Sequence, residues 1–110
     1  MARHDFGILA AHEEQIEAFY AYTPQRFRCI SVDMDAIDSC GLIPETREMP
    51  TYLHELGRPF HGLNEIGLTL IPPQSLPLLR DTATRHGLHE LAVLADEAFR
   101  RGCFVIHFGI

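Results

Sequence analysis

The sequence contains no lysine and no tryptophan, so all nine basic residues are arginine. Without a lysine amine, Schiff-base chemistry and the phosphate-gripping lysine of a P-loop are excluded. Dense basic patches are missing too. Arg26 and Arg28, then Arg100 and Arg101, are pairs in a chain of net charge −6, which argues against a nucleic-acid partner. No apolar run approaches the ~18 residues that cross a bilayer. The opening Met1-Ala2-Arg3-His4-Asp5 leads into no signal-peptide core, because His12, Glu13 and Glu14 interrupt the next apolar run. Neither nucleic acid nor membrane is therefore expected as a partner. Cys29, Cys40 and Cys103 cannot all pair and show no C-x-x-C spacing, so reduced thiols in a cytoplasmic protein are expected. No cofactor fingerprint is present, and no cofactor is expected.

What is there has the balance of an ordinary globular chain. The 110 residues are 46% hydrophobic and 22% charged, the size and composition of one small acidic domain spanning 1–110. Seven histidines make the charge strongly pH-dependent. Protonating all seven takes the net charge from −6 to +1, across the range where imidazole titrates.

Periodicity along the chain predicts the order α-β-(irregular)-β-α-α-β. Asp5 is positioned to cap a helix over Phe6–Tyr22, with Leu9, His12, Ile16, Phe19 and Tyr20 on one stripe and Pro24 as its stop. Arg26–Asp33 reads as a strand, apolar on both faces beyond Arg28 and so placed inside a sheet. From Ser39 to Asn64 the pattern dissolves among Gly41, Pro44, Pro50, Gly57, Pro59 and Gly62, with room for one short element at Thr51–Leu56 and the option of a hidden fourth strand. Ile66–Ile71 is a second strand ended by Pro72 and Pro73. A helix follows, with Ser75 as N-cap, Leu76, Leu79 and Ala83 inward and Gly87 closing it. The next helix, Leu88–Arg101, turns Leu91, Leu94, Ala95 and Ala98 inward and ends at Gly102. Cys103–Phe108 is apolar on both faces and is placed centrally. The long connection Ile71–Cys103 is expected to be a right-handed crossover bringing the last strand parallel to the second. The fold class expected is therefore α/β, a three- or four-stranded mixed sheet with about three helices; α+β is the alternative.

Four groups of residues carry candidate chemistry. Asp33, Asp35 and Asp38 follow an apolar strand, where α/β proteins place catalytic or magnesium-binding acids. The run Ile30-Ser31-Val32-Asp33-Met34-Asp35 superficially resembles the opening D-x-D motif of haloacid-dehalogenase-like phosphatases. The chain departs from that family in lacking lysine, a later acidic pair and half the length, and a solvated Asp-rich turn is the plainer reading. In the second group Arg58, His61, Asn64 and Glu65 share a loop suited to a polar or anionic ligand. His54 and His61 are candidate metal ligands there, although H-x6-H is not an established spacing. Third, His86-x-x-His89-Glu90 spans the Gly87 break, where helix capping is the simpler role. Last, His107 lies in a strand placed centrally, where a histidine is ordinarily a hydrogen-bonded core residue. It becomes an acid-base candidate if Asp33 or His61 lies within reach. Cys40 is the sole cysteine expected in a loop, and no pattern marks it as a nucleophile.

These observations favour a non-enzymatic interaction protein that self-associates as a homodimer or binds one protein partner. Leu42, Ile43, Met49, Tyr52, Leu53 and Phe60 in the irregular segment are expected to form an association patch. The apolar end Phe108-Gly109-Ile110 is expected to pack against something. The alternative is a small enzyme or ligand-binding domain using Asp33, Asp35, His61 and His107 for acid-base or metal-assisted work.

Overall fold

The computed structural model describes residues 3–9, 29–33, 36–37, 40–53, 58–64 and 67–109. These hold strands β1 (Arg3–Leu9), β2 (Ile30–Asp33), β3 (Pro50–Leu53), β4 (Pro59–His61), β5 (Leu68–Ile71) and β6 (Phe104–Phe108). A single helical turn, α1 (Leu42–Glu45), precedes β3, and two longer helices, α2 (Leu76–Arg85) and α3 (His89–Arg100), lie between β5 and β6. The strands form one sheet in the order β2-β1-β6-β5-β3-β4. Every neighbouring pair is antiparallel. The architecture is α+β, which corrects the mixed α/β sheet expected from the sequence.

The correction has a topological cause. A crossover with one helix delivers the chain to the far end of the sheet and makes the next strand parallel. Here α2 runs out and α3 runs back, so the chain re-enters at the end it left, with Ile71 opposite Val105. Two traverses cancel.

Each helix of this hairpin ends as its glycine requires. Beyond α2, Gly87 takes φ +76°, the Leu88 N–H donates to the Ala83 carbonyl (2.8 Å), and the Gly87 N–H donates to that of Thr84 (3.2 Å). Gly102, at φ +66°, repeats this Schellman closure with Cys103 N–H to Ala98 O (2.9 Å) and Gly102 N–H to Phe99 O (3.1 Å). The inward stripes hold at Leu76, Leu79, Ala83, Leu91, Ala95 and Ala98, all buried, while Leu94 is half-buried against the core. Ser75 does not cap α2 with its side chain; its hydroxyl donates to the Pro50 carbonyl at 2.6 Å and ties the helix start to β3.

Three further expectations change. Phe6–Leu9 belong to β1, not to a helix; residues 10–22 lie outside the described set. A helix there would place Gly7 in its first turns, whereas β1 finds ladder partners on both sides, β2 and β6, and tertiary pairing of that kind overrides local propensity. The strand ending at Asp33 is an edge, not an interior strand. Val32 is buried while Ser31 and Asp33 are exposed. Finally, the described residues between 40 and 64 are not an irregular stretch, for they supply α1, β3 and β4. Pro50 and Pro59 open their strands, a place where a missing N–H is tolerated. The apolar side chains of this segment do not make a surface patch either. Leu42 and Met49 lie inside the main core, and Ile43, Tyr52, Leu53 and Phe60 are half-buried.

Both faces of the sheet are apolar. One faces the helices, where Phe6, Val32, Ile71 and Val105 join Leu76, Leu79, Leu91 and Ala95 in the main cluster. The other gathers Leu9, Leu68, Leu70, Phe104, Ile106 and Phe108, with Cys29 and Tyr52 against them. The alternation of β5 and β6 between the two clusters explains why both strands are buried throughout. Phe108, expected to pack against something, is enclosed in the second cluster.

Candidate functional site

Cross-strand register lays out a polar site within the helix-facing side of the sheet. Ile30 pairs with Phe6, Phe6 with His107, His107 with Thr69, and Thr69 with Leu53. Paired residues share a face, so His107 stands between Phe6 and Thr69. His4 lies two residues before Phe6, on the same face of β1. Continuing the β1–β6 register sets Gly109 opposite His4, and the Gly109 N–H donates to the Gly67 carbonyl at 2.6 Å. Two glycines in the row beyond His107 leave the space into which the two imidazoles turn.

There His4 Nδ1 and His107 Nε2 meet at 2.7 Å. The rings are within 9° of parallel and their centroids are 5.0 Å apart. That separation is what the nitrogen–nitrogen distance plus two ring radii makes, so the rings meet edge to edge in one plane and are not stacked face to face. The Phe6 ring lies 4.7 Å from that of His107, tilted by 33°. On the far side, His107 Nδ1 is 3.4 Å from Thr69 Oγ1, which accepts the Asn64 N–H at 2.9 Å. Both histidines and Thr69 are fully buried.

Two proton arrangements satisfy this row. Either Thr69 donates to His107 Nδ1 and His107 Nε2–H donates to His4, or His4 Nδ1–H donates to His107 Nε2 and His107 Nδ1–H donates to Thr69. Both use neutral imidazoles with a single hydrogen in the shared contact. Burial, and next the neighbouring His4, push His107 down from 6.5 to about 3, as expected of a base whose charged form has been desolvated.

Other polar groups stand apart from this row. Asp5, buried on the opposite face, accepts a hydrogen bond from Ser31. Burial and then the Asp5 carboxylate raise the Cys29 thiol to about 11, which leaves it protonated and unreactive at neutral pH. On the surface Glu45 bonds both Arg85 and His86, and the two partners hold its carboxyl below the ordinary range. This pins α1 to the end of α2. Gly41 lies beneath, where a Cβ would collide with the Glu45 carboxylate. His86 therefore anchors α1, and the Cys40 thiol donates to the Ile37 carbonyl at 3.5 Å.

The residues singled out in the sequence are dispersed. Asp33 is exposed at the last residue of edge strand β2, and His61 is exposed on the opposite edge strand β4. Five inter-strand steps separate them, about 24 Å at ordinary strand spacing. Arg58 is exposed just before β4. Asn64 is half-buried and joins the histidine row through its backbone. Asp35, Asp38, His54 and Glu65 lie outside the described residues. Among the described residues no group of three His, Cys, Asp or Glu is placed to hold a metal. His107 has a histidine as its titratable neighbour, not Asp33 or His61. Sequence reading missed His4 because a helix expected from Phe6, capped by Asp5, left it ahead of any element; read as a strand, positions 4 and 6 fall on one face. Compared with known protein families, curated proteins and solved structures, the chain matches none.

Proposed function

We propose that this chain is a non-enzymatic interaction domain that pairs with a second copy of itself through the outer face of α2 and α3. One observation carries the reading. Among the described residues, all three large apolar side chains left exposed stand on these two helices: Val93 at 68%, Leu78 and Phe99 at 42% each. The groups suited to chemistry are meanwhile sealed, as with His107, or set on opposite edges, as with Asp33 and His61. Charge supports a copy as the occupant. Glu90 sits in the first turn of α3 and Arg100 in its last, so an antiparallel, two-fold pairing of α3 with itself sets each Glu90 beside the other copy's Arg100 and opposes the two helix dipoles. Placement in the cytoplasm belongs to the same proposal, supported by three unpaired cysteines. No helix among the described residues is long and apolar enough to cross a membrane.

Sedimentation equilibrium tests the pairing. The wild-type chain is expected to run as a dimer and Val93→Asp as a folded monomer. A wild-type monomer at every concentration, or a Val93→Asp variant that dimerises as tightly as wild type, overturns it.

A further inference from the structure

The outer stripe of α3 is built asymmetrically. Glu90, Val93, Glu97 and Arg100 step along it by three and four residues, and all four are exposed. An acid opens the stripe, a base closes it, and the apolar Val93 lies between them. We infer that this order makes self-recognition charge-coded: Glu90 of each copy selects Arg100 of the other, which fixes both the partner and its direction. The inference rests on the pairing proposed above and adds to it the residues that choose the partner.

Arg100 is prepared for this role within the single chain. Asp96, one turn earlier, accepts a hydrogen bond from Arg100 and, on its other oxygen, one from Arg80 of α2 at 3.1 Å. That carboxylate ties the two helices together on the outer surface and holds the Arg100 head in place. The Arg100 side chain still keeps 77% of its area exposed, and a guanidinium has more N–H donors than Asp96 uses. Held in this way, it loses less freedom on meeting a second carboxylate. Glu97, the other acid of the stripe, is engaged by Arg101 at 3.1 Å. Glu90 stands at the far end, in the first turn.

The stripe also dictates direction. A parallel arrangement would set Glu90 on Glu90 and Arg100 on Arg100, like charge on like. An antiparallel two-fold centred near Ala95 sets each Glu90 by an Arg100, and does so twice. The same axis brings Val93 of each copy over the turn 96–99 of the other, where Phe99 is 42% exposed. Charged pairs at both ends then flank the apolar contacts, as a polar rim surrounds an interface core.

Charge-reversed chains test the code. In sedimentation equilibrium, Glu90→Arg alone and Arg100→Glu alone are each expected to self-associate about tenfold more weakly than wild type, because each faces like charges at both ends. An equimolar mixture of the two variants restores opposite charges at both ends and is expected to pair about as tightly as wild type. Wild-type pairing is also expected to weaken as NaCl rises from about 0.05 to about 0.5 M, since screening acts on charges and not on apolar contacts. Should Arg100→Glu not fold, Glu90→Arg and the salt series decide alone. Variants that dimerise alone as tightly as wild type, a mixture no tighter than its parts, or a salt-insensitive wild-type dimer overturns the code and leaves the pairing standing. Tight pairing of Glu90→Arg with wild type, as a parallel arrangement would give, overturns it too. A monomeric wild type ends the pairing itself, and the code with it.

Discussion

Residues 76–103 and residues 40–64 contribute to the same core, yet one stretch carries its structure locally and the other borrows it. In the helical hairpin the stripes Leu76, Leu79, Ala83 and Leu91, Ala95, Ala98 repeat at the helical period, and at Gly87 and Gly102 each helix closes as the next residue, Leu88 or Cys103, bonds the carbonyl five positions back. In the other stretch order arrives from elsewhere. β3 and β4 are only four and three residues long, and β3 is held by β5 from outside the segment. Met49 accepts the Gly62 N–H at 2.7 Å, the Thr51 hydroxyl donates to the Gly62 carbonyl at 2.8 Å, and Ser75 reaches across to Pro50. Strands that short show no period, and a segment built by distant partners resembles a loop when read alone.

The largest test of the comparison removes one core side chain from each region. Leu91→Ala and Met49→Ala both empty fully buried sites, and each is expected to lower the unfolding free energy by about 2–5 kcal/mol in urea melts. The pattern of amide exchange should separate them. Leu91→Ala is expected to loosen the whole molecule, and Met49→Ala chiefly β3 and β4. A Met49→Ala cost below about 1 kcal/mol would show that the borrowed segment sits on the core without completing it.

The same contrast explains what was legible beforehand. The hairpin stripes, their glycine stops and the central place of β6 could be read because each depends on neighbours in sequence or on uninterrupted apolarity. Strand direction could not be read, since Ile71 to Cys103 is long enough for either sense and only the return of α3 beside α2 decides it. β1 was hidden because Phe6–Leu9 satisfies a helical stripe as well as an alternating one, and its ladder partners are β2 and, some hundred residues away, β6. With β1 misread, the candidate site was half visible. His107 could be placed centrally, but its partner His4 could not.

Acid offers the next test, at His107 in β6, a strand that lies outside both regions. A histidine held neutral in the fold contributes stability that is complete above its unfolded value and lost as pH falls toward the folded one. For His107 that window runs from 6.5 down to about 3. Within it stability is expected to decline by about 1.4 kcal/mol per pH unit, or about 2 kcal/mol between pH 6.5 and 5. Thermal melts of wild type and of His4→Leu/His107→Phe across that range check the slope. Equal slopes would assign acid sensitivity to some other group.

Glycines sharpen the comparison further. Gly62 and Gly87 have nearly equal backbone angles, φ +77° and +76°, but different surroundings. A Cβ at Gly87 would meet nothing within 4 Å, whereas one at Gly62 would press on the Arg47 backbone at 3.2 Å. Gly87→Ala should cost about 1 kcal/mol, the strain of the left-handed conformation alone. Gly62→Ala should cost roughly twice that, because overpacking against backbone adds to the same strain. Equal costs in chemical denaturation would mean that the loop joining β4 to β5 shifts freely, contrary to its two hydrogen bonds with β3 and its approach.

The smallest expected effect asks which region owns Ser75. If its hydroxyl were an N-cap, Ser75→Ala would fray the first turn of α2 and leave β3 untouched. The 2.6 Å bond to the Pro50 carbonyl predicts the reverse. The loss should be about 1 kcal/mol, with amide protection falling in β3 while α2 retains its own. Ser75 is itself buried, so the Pro50 carbonyl it leaves has little water to turn to, and the cost should appear at the strand. Exchange confined to residues 76–79 would return Ser75 to the helix and leave the borrowed segment with one tie fewer.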